Sequence, residues 1–415
     1  MAALRAFKAI RPVAELASRI AALPYDVMNS REAKIAAENN PYSFLHVDKA
    51  EIDIDESIDI YDKRVYEKAR DNLHKMMEKG WLVRDNQDML YIYKLVMGDH
   101  EQVGLVGCVS VDDYINNRIK KHENTREDKE QDRINHVRYC NANTGPIFLM
   151  YRAEEEVNEI IKLWMENNLP IYDFISEDGI GHIIWAIEDR WIIDKLIFLL
   201  QNIDSLYIAD GHHRAASAVK VAMMKRQEKP DYTGEEEFNY FLGVLFPHNQ
   251  LKIMDYNRVV KDLNNYTADE FIERVKENFI VEEYADKGQY KPNKKHDFGM
   301  YLNRKWYKIT AKEGTYDDKD AVASLDVSIL QDNLLNPVLG IKDPRTDDRI
   351  DFVGGIRGLA ELEKRVREGM AVAFSLYPTS VEDLMKIADL GKVMPPKSTW
   401  FEPKLRSGLF IHELK

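Results

Sequence analysis

Leu206-Tyr207-Ile208-Ala209-Asp210-Gly211-His212-His213-Arg214, continued by Ala215-Ala216-Ser217-Ala218-Val219, decides how the chain folds. Four residues of strand character run into an Asp-Gly break. Beyond it Ala215, Ala218, Val219 and Ala222 recur at i, i+3, i+4 and i+7, the period of a buried helix face. The pattern predicts a strand, a tight turn and a helix, with Asp210 as the N-cap and Gly211 letting the turn come close to a ligand. The free N–H groups of the first helical turn then face outward at the positive end of the dipole, and His212, His213 and Arg214 stand on that turn. Such a mouth is a cradle for a phosphate or another anion. The same string also suits a helix start without a ligand, in which Asp210 only caps, Arg214 forms a surface ion pair and the histidines are partly buried. A metal on the histidine pair is disfavoured, because adjacent helical residues point about 100° apart and no third ligand lies at helical spacing.

The whole chain frames this motif. At 415 residues it is longer than one ordinary core supports, so two domains, or one elaborated by a large insertion, are expected, with the division placed at 1–261 and 262–415. Lys plus Arg number 58 against 71 Asp plus Glu, a net charge of −13, which repels polyanions and argues against DNA or RNA as a partner. Cys108 and Cys140 are the only cysteines, with neither the count nor the spacing of a disulfide framework or zinc ribbon, which fits a reducing compartment. No apolar run approaches the roughly 18 residues of a membrane span, and Met1-Ala2-Ala3-Leu4-Arg5 leads into no signal-type apolar core. A cytoplasmic protein, monomer or homodimer, is expected.

Upstream of the motif, a helix is expected after an Asn29-Ser30 cap, then a strand at Ser43-Phe44-Leu45-His46-Val47 and a solvated acidic loop from Asp48 to Asp55. A helix from Tyr61 to Gly80 ends in a glycine C-cap. Met89–Val96 and Val103–Val111 form a hairpin. The charge-dense stretch from Lys120 through His122, Glu123 and Asp128 to Arg133 suits a solvated helix laced with ion pairs, yet Asn141–Pro146 behind it feeds the apolar strand Ile147–Tyr151, and polar loops feeding core strands often carry sites. Downstream, Phe241–Phe246 is another core strand. From about Asp262 amphipathic helices alternate with short strands around a polar stretch, Asp286 to Asp297, as in a second α/β unit. The closing segment Val393–Lys404 combines prolines, hydroxyls, aromatics and two lysines. It suits an ordered strap, or a set of hydroxyl and ammonium donors for a small anion.

Taken together, Asp210-Gly211-His212-His213-Arg214, His122-Glu123 and Pro396-Lys397-Ser398-Thr399 resemble, in this order, three motifs of the free L-serine kinases of the ParB/sulfiredoxin-like superfamily and their longer bacterial relatives. Pro24-Tyr25-Asp26-Val27, Tyr256-Asn257-Arg258 and Lys397 to Lys404 are similar to the longer relatives as well. The compact members have little counterpart to residues 1 to about 120, and carry basic residues where this chain has Trp400-Phe401.

The resemblance implies an α/β (α+β) fold, with a ParB/sulfiredoxin-like nucleotide-binding core, an N-terminal elaboration and a second C-terminal α/β domain. It implies transfer of a phosphoryl group from ATP or ADP to the hydroxyl of free L-serine. Asp210, Gly211, His212, His213 and Arg214 would hold the nucleotide phosphates, with Asp210 placing Mg²⁺. Glu123, next to His122, would be the general base, with Asp210 completing the catalytic set. Lys397, Ser398, Thr399 and Lys404 would hold the amino acid. Two other classes compete: a ParB-like nucleotide-dependent switch that phosphorylates no small molecule, and a metal-dependent hydrolase built on the histidine pair.

Overall fold

A computed structural model describes residues 4–285 and 288–415. Met1, Ala2, Ala3 and the first two residues of the polar stretch, Asp286 and Lys287, lie outside the described residues. The fold is α+β and divides into two compact units. The first comprises the chain up to Lys121, Thr125–Leu251 and Pro403–Lys415; the second comprises His122–Asn124 and Lys252–Glu402.

The first unit is built on a nine-stranded mixed sheet. Its strands are β1 (Leu4–Arg5), β2 (Leu90–Met97), β3 (His100–Ser110), β4 (Ile119–Lys120), β5 (Ile147–Tyr151), β6 (Tyr172–Ile175), β7 (Gly181–Ile187), β8 (Leu206–Asp210) and β9 (Tyr240–Pro247). They lie in the order β4-β8-β5-β9-β3-β2-β7-β6, with β1 on β3. The pairs β8/β4 and β9/β5 are parallel and the rest antiparallel. Besides short helices at Ala17–Ile20 and Val111–Ile115, the unit carries α1 (Ser30–Ala37), α2 (Leu45–Asp48), α3 (Lys63–Glu78), α4 (Glu127–Cys140), α5 (Glu155–Asn167), α6 (Arg190–Gln201) and α7 (His212–Glu228). The apolar stripe expected after the Asp-Gly break is the face of α7 that packs on the sheet: Ala215, Ala218, Val219 and Ala222 are buried with Ile208, Leu149 and Ile147. Small side chains there let the helix axis approach the strands closely. α1 opens with a capping box in which Asn29 and Glu32 satisfy each other's backbone N–H groups.

Two expectations in this unit are corrected. Ser43–Val47 is no strand: Phe44 leads into α2, which buries Leu45, Val47 and Asp48. Five residues, three of them apolar, carry no period long enough to separate a strand from one buried helical turn. Asp48–Asp55 is no solvated loop either, since Ala50–Asp53 is a 3-10 turn and Asp48 is buried, accepting a 2.8 Å hydrogen bond from Thr144 Oγ1.

The second unit carries a six-stranded sheet of β10 (Tyr256–Val260), β11 (Phe279–Glu283), β12 (Asp297–Leu302), β13 (Lys305–Ala311), β14 (Ile350–Gly354) and β15 (Val372–Leu376). All its pairings are antiparallel, in the order β11-β13-β12-β15-β10-β14. Helices α8 (Ala268–Asn278), α9 (Asp326–Leu330), α10 (Leu359–Arg367) and α11 (Val381–Asp389) complete it, and capping boxes at Thr267 and Ser380 start α8 and α11. The division read at 261/262 therefore shifts. β10 pairs with β14 and β15 and so belongs to the second unit, while His412-Glu413 pairs with Ala142-Asn143 and returns the C-terminus to the first. Strand pairing sets these boundaries, and local composition does not report it. Among the described residues no helix is long and apolar enough to cross a membrane.

Each unit buries, among others, one titratable group displaced into the range where pH can be varied. In the first, burial and then Arg406 push His182 down to about 3. In the second, burial pushes the Asp326 carboxyl up to about 7. The signs are opposite. A depressed histidine loses its stabilising contribution as pH falls below the unfolded value near 6.5, whereas a raised carboxyl contributes at low pH and loses that contribution as pH rises through 7. Between pH 7.5 and pH 5 the first unit is expected to lose, and the second to gain, about 2 kcal/mol from these groups. Hydrogen-exchange protection factors compared by unit check this, and parallel changes in both units would contradict it.

Candidate functional site

In the first unit the sequence places Asp210 at a strand end and the structure sharpens its role. The β8/β5 register shifts between Ile208 and Asp210, a bulge that re-aims the last strand residue. The N-cap of α7 is Gly211, at φ +94° in the left-handed region, and no side chain caps the helix. Asp210 as N-cap is thus corrected: its Oδ1 accepts from the Gly211 N–H at 3.0 Å, a bond one residue too early for a cap. A left-handed cap leaves the N–H groups of the first helical turn uncovered by any side chain of its own. Glycine is required there twice over, because a Cβ at Gly211 would also stand 3.0 Å from Arg214 Nε. Gly211→Ala is expected to destabilise the protein by about 1–3 kcal/mol in urea unfolding, and a change within about 0.5 kcal/mol would contradict the strained cap.

The mouth of α7 is strongly charged. Asp210 Oδ2 accepts from Lys404 Nζ at 3.2 Å, and Arg214 Nη2 lies 3.7 Å from the same oxygen. Burial pushes the Asp210 carboxyl up, but Lys404 first, then Arg214 and His212, outweigh it and hold it well below the usual carboxylate range. Arg214 donates to the Pro146 carbonyl, and its buried Nε has no hydrogen-bond partner. His212 is buried. His213 Nε2 accepts from the Arg126 N–H at 3.0 Å, which fixes its proton on Nδ1 and ties it to the start of α4. Arg214 also lines a small cavity with Tyr25, Asp48, Arg133, His136 and Thr144. The Arg133 guanidinium sits 4.1 Å from the Tyr25 ring centre. The sequence assigns Asp48, Arg133 and Thr144 no individual role; the signals pointing here are Pro24-Tyr25-Asp26-Val27 and the polar loop Asn141–Pro146 that feeds a core strand.

In the second unit His122 and Glu123 meet the closing segment. The His122 carbonyl accepts from the Met394 N–H at 2.7 Å, and His122 Nε2 shares a 3.3 Å hydrogen bond with Thr399 Oγ1, 277 residues away in sequence. His122 is buried and Glu123 half-buried. Lys397 adopts a left-handed φ of +58°, its carbonyl accepts from Arg258 Nη2 at 2.9 Å, and its Nζ lies 5.8 Å from the Tyr256 ring centre. Ser398 is committed internally: its Oγ donates to the Pro395 carbonyl at 2.6 Å and its own carbonyl accepts from Thr379 Oγ1 at 3.1 Å. Trp400, edge-on to Tyr256 with ring centres 5.0 Å apart, fills the space over Gly354. The four residues expected to hold an amino acid are thus divided. Lys397, Ser398 and Thr399 lie in the second unit with His122 and Glu123, while Lys404 lies in the first as the partner of Asp210.

Mg²⁺ takes hard oxygen ligands and, beside a nucleotide, needs only one or two protein carboxylates. The ionised Asp210 offers such an oxygen and fits.

A family model described as "Protein of unknown function (DUF1015)" matches residues 4–328, well over half of the chain. The chain belongs to the DUF1015 family. No curated protein matches this DUF1015 chain. Among solved structures it is similar to a mutant free serine kinase in complex with AMP, at 15% identity over 73% of this chain and 91% of that one, with a TM-score of 0.38. It is also similar to a conserved hypothetical protein from Pyrococcus furiosus, at 16% identity over 73% and 93% of the two chains and a TM-score of 0.36. A third is SbnI with a C-terminal truncation from Staphylococcus aureus, at 8% identity over 73% and 85%, with a TM-score of 0.38. At these levels the likenesses assign no role to any residue.

Proposed function

We propose that this DUF1015 chain is a small-molecule kinase that transfers a phosphoryl group from ATP or ADP to the hydroxyl of free L-serine, giving O-phospho-L-serine. One observation carries the reading: His122-Glu123 and Pro396–Thr399, two motifs matched independently in sequence, pack together through the His122–Thr399 hydrogen bond. The third motif supports it, since the mouth of α7 gathers uncapped N–H groups, Arg214 and Lys404 around an ionised Asp210.

Phosphoryl transfer asks for positioning and charge compensation rather than covalent chemistry. The N–H groups of α7, with Arg214 and Lys404, bind the phosphate oxygens. Asp210 would hold Mg²⁺, which neutralises phosphate charge when bound. Lys397 and Thr399 orient the amino acid, and Glu123 accepts the hydroxyl proton as the serine oxygen bonds to phosphorus and the bond to the departing nucleotide breaks. His122, bonded to Thr399, positions the loop that carries Glu123.

Incubation with ATP or ADP, Mg²⁺ and each amino acid in turn tests the reading. Serine-dependent nucleotide consumption is the expected result. Hydrolysis or binding indifferent to the amino acid would favour the nucleotide switch instead.

A further inference from the structure

Tyr256-Asn257-Arg258 lies on β10, inside the second sheet between β15 and β14. Alternation along the strand sends Val259 into the apolar cluster with Trp306, Leu362 and Ala373, and Arg258 to the opposite face. Asn257 is used up locally, donating to Asp255 Oδ2 at 2.6 Å and accepting from the Leu376 N–H at 3.0 Å. Arg258 is different. It is 3% exposed, and its guanidinium donates to the carbonyls of Tyr256 and Lys397 and faces the Phe352 ring at 5.3 Å.

Among the described residues no carboxylate pairs with it. Other buried or half-buried guanidiniums have one: Arg11 has Asp85, Arg133 has Asp132, Arg214 has Asp210, Arg226 has Asp112 and Arg406 has Asp178. Burial accordingly pushes Arg258 down, to about 10, whereas every other described arginine with a displaced value moves up. Burying a cation against carbonyl dipoles and a ring, with no counter-charge, is costly. Its place resolves the cost, because the carbonyl it grips belongs to Lys397 in its left-handed turn, directly before Ser398 and the Thr399 that bonds His122. Strained backbone held at such a point is a mark of a ligand site.

We infer that Arg258, beside Lys397, is the carboxylate subsite of the amino-acid acceptor: the missing counter-charge is the substrate's own α-carboxylate, taken in a charge-assisted hydrogen bond. The inference rests on the kinase reading and adds to it the group that separates an amino acid from a simple amino alcohol.

Ethanolamine keeps serine's hydroxyl and amine and lacks its carboxylate, so it isolates this contact. The unaltered chain is expected to prefer L-serine to ethanolamine by at least about 100-fold in kcat/KM, and Arg258→Met to bring that preference below about 10-fold through loss of serine. Arg258→Lys, which keeps the charge, should recover part of it. A purely structural Arg258 predicts equal loss for both acceptors, and that result overturns the inference. Calorimetric binding of L-serine and ethanolamine separates the two levels. Serine binding that Arg258→Met abolishes, in a chain without transferase activity, upholds the subsite and ends the kinase; no preference for serine in binding or turnover overturns the subsite. Near-ultraviolet circular dichroism of both variants verifies folding.

Discussion

Glu123→Gln is expected to reduce phosphoryl transfer to serine by about 10²- to 10⁴-fold, the usual contribution of a positioned general base. The amide has nearly the same shape and stays half-buried on the same loop, but it cannot take a proton at neutral pH. Nucleotide binding should persist, because the phosphate contacts proposed for the N–H groups of α7, Arg214 and Lys404 do not involve the Glu123 carboxylate. Folding should persist too: the loop is held by the His122 carbonyl and ring, through Met394 and Thr399, and those bonds do not involve the carboxylate. A variant that keeps its rate removes Glu123 from the chemistry. One that loses nucleotide binding together with rate assigns it to a different task.

The second large effect concerns Asp210 and Lys404. The lysine is almost wholly buried, and Asp210 owes its low carboxyl pKa to Lys404 before Arg214. Lys404→Met strips the nearer cation from a largely buried carboxylate and is expected to cost about 2–4 kcal/mol of stability. The double variant Lys404→Met with Asp210→Asn removes both charges and should recover part of the loss, leaving a coupling of about 1–3 kcal/mol in a double-mutant cycle. The sign with pH follows from the same contact. Asp210 is depressed in the folded state, so its contribution is present above the unfolded carboxylate value and is lost as pH falls. In Lys404→Met that loss should be smaller and end at a higher pH, because it starts at the same unfolded value and stops at a less depressed folded one. Simple additivity of the two single variants in urea unfolding would show that the pair is incidental.

Where a physical signal is local, the sequence is a good guide. The Asp-Gly break and the alanine stripe of α7, the hairpin of β2 and β3, and the capping boxes at Asn29 and Ser380 all follow from residues within one turn or one strand pair of each other. What failed was short or distant. Ser43–Val47 is too brief to carry a period, and Asp48 is buried by Thr144, 96 residues further on. Asp210 gives up the cap because a bulge in its strand and a left-handed Gly211 intervene, and neither leaves a trace in the pattern of polar and apolar residues. The resemblance groups Lys404 with Lys397. Between Glu402 and Pro403 the chain leaves one unit for the other, so a gap of seven residues carries the second lysine to a different task. Arg258 shows the converse limit: its motif was visible, but an absent counter-charge is a property of space.

Phosphorus NMR of the full chain with ATP or ADP, Mg²⁺ and L-serine follows the proposed transfer directly. The account predicts growth of an O-phosphoserine resonance at the expense of the nucleotide's terminal phosphate, only when serine is present and not in Glu123→Gln. Inorganic phosphate as the sole new signal, formed at the same rate with or without serine, would contradict it.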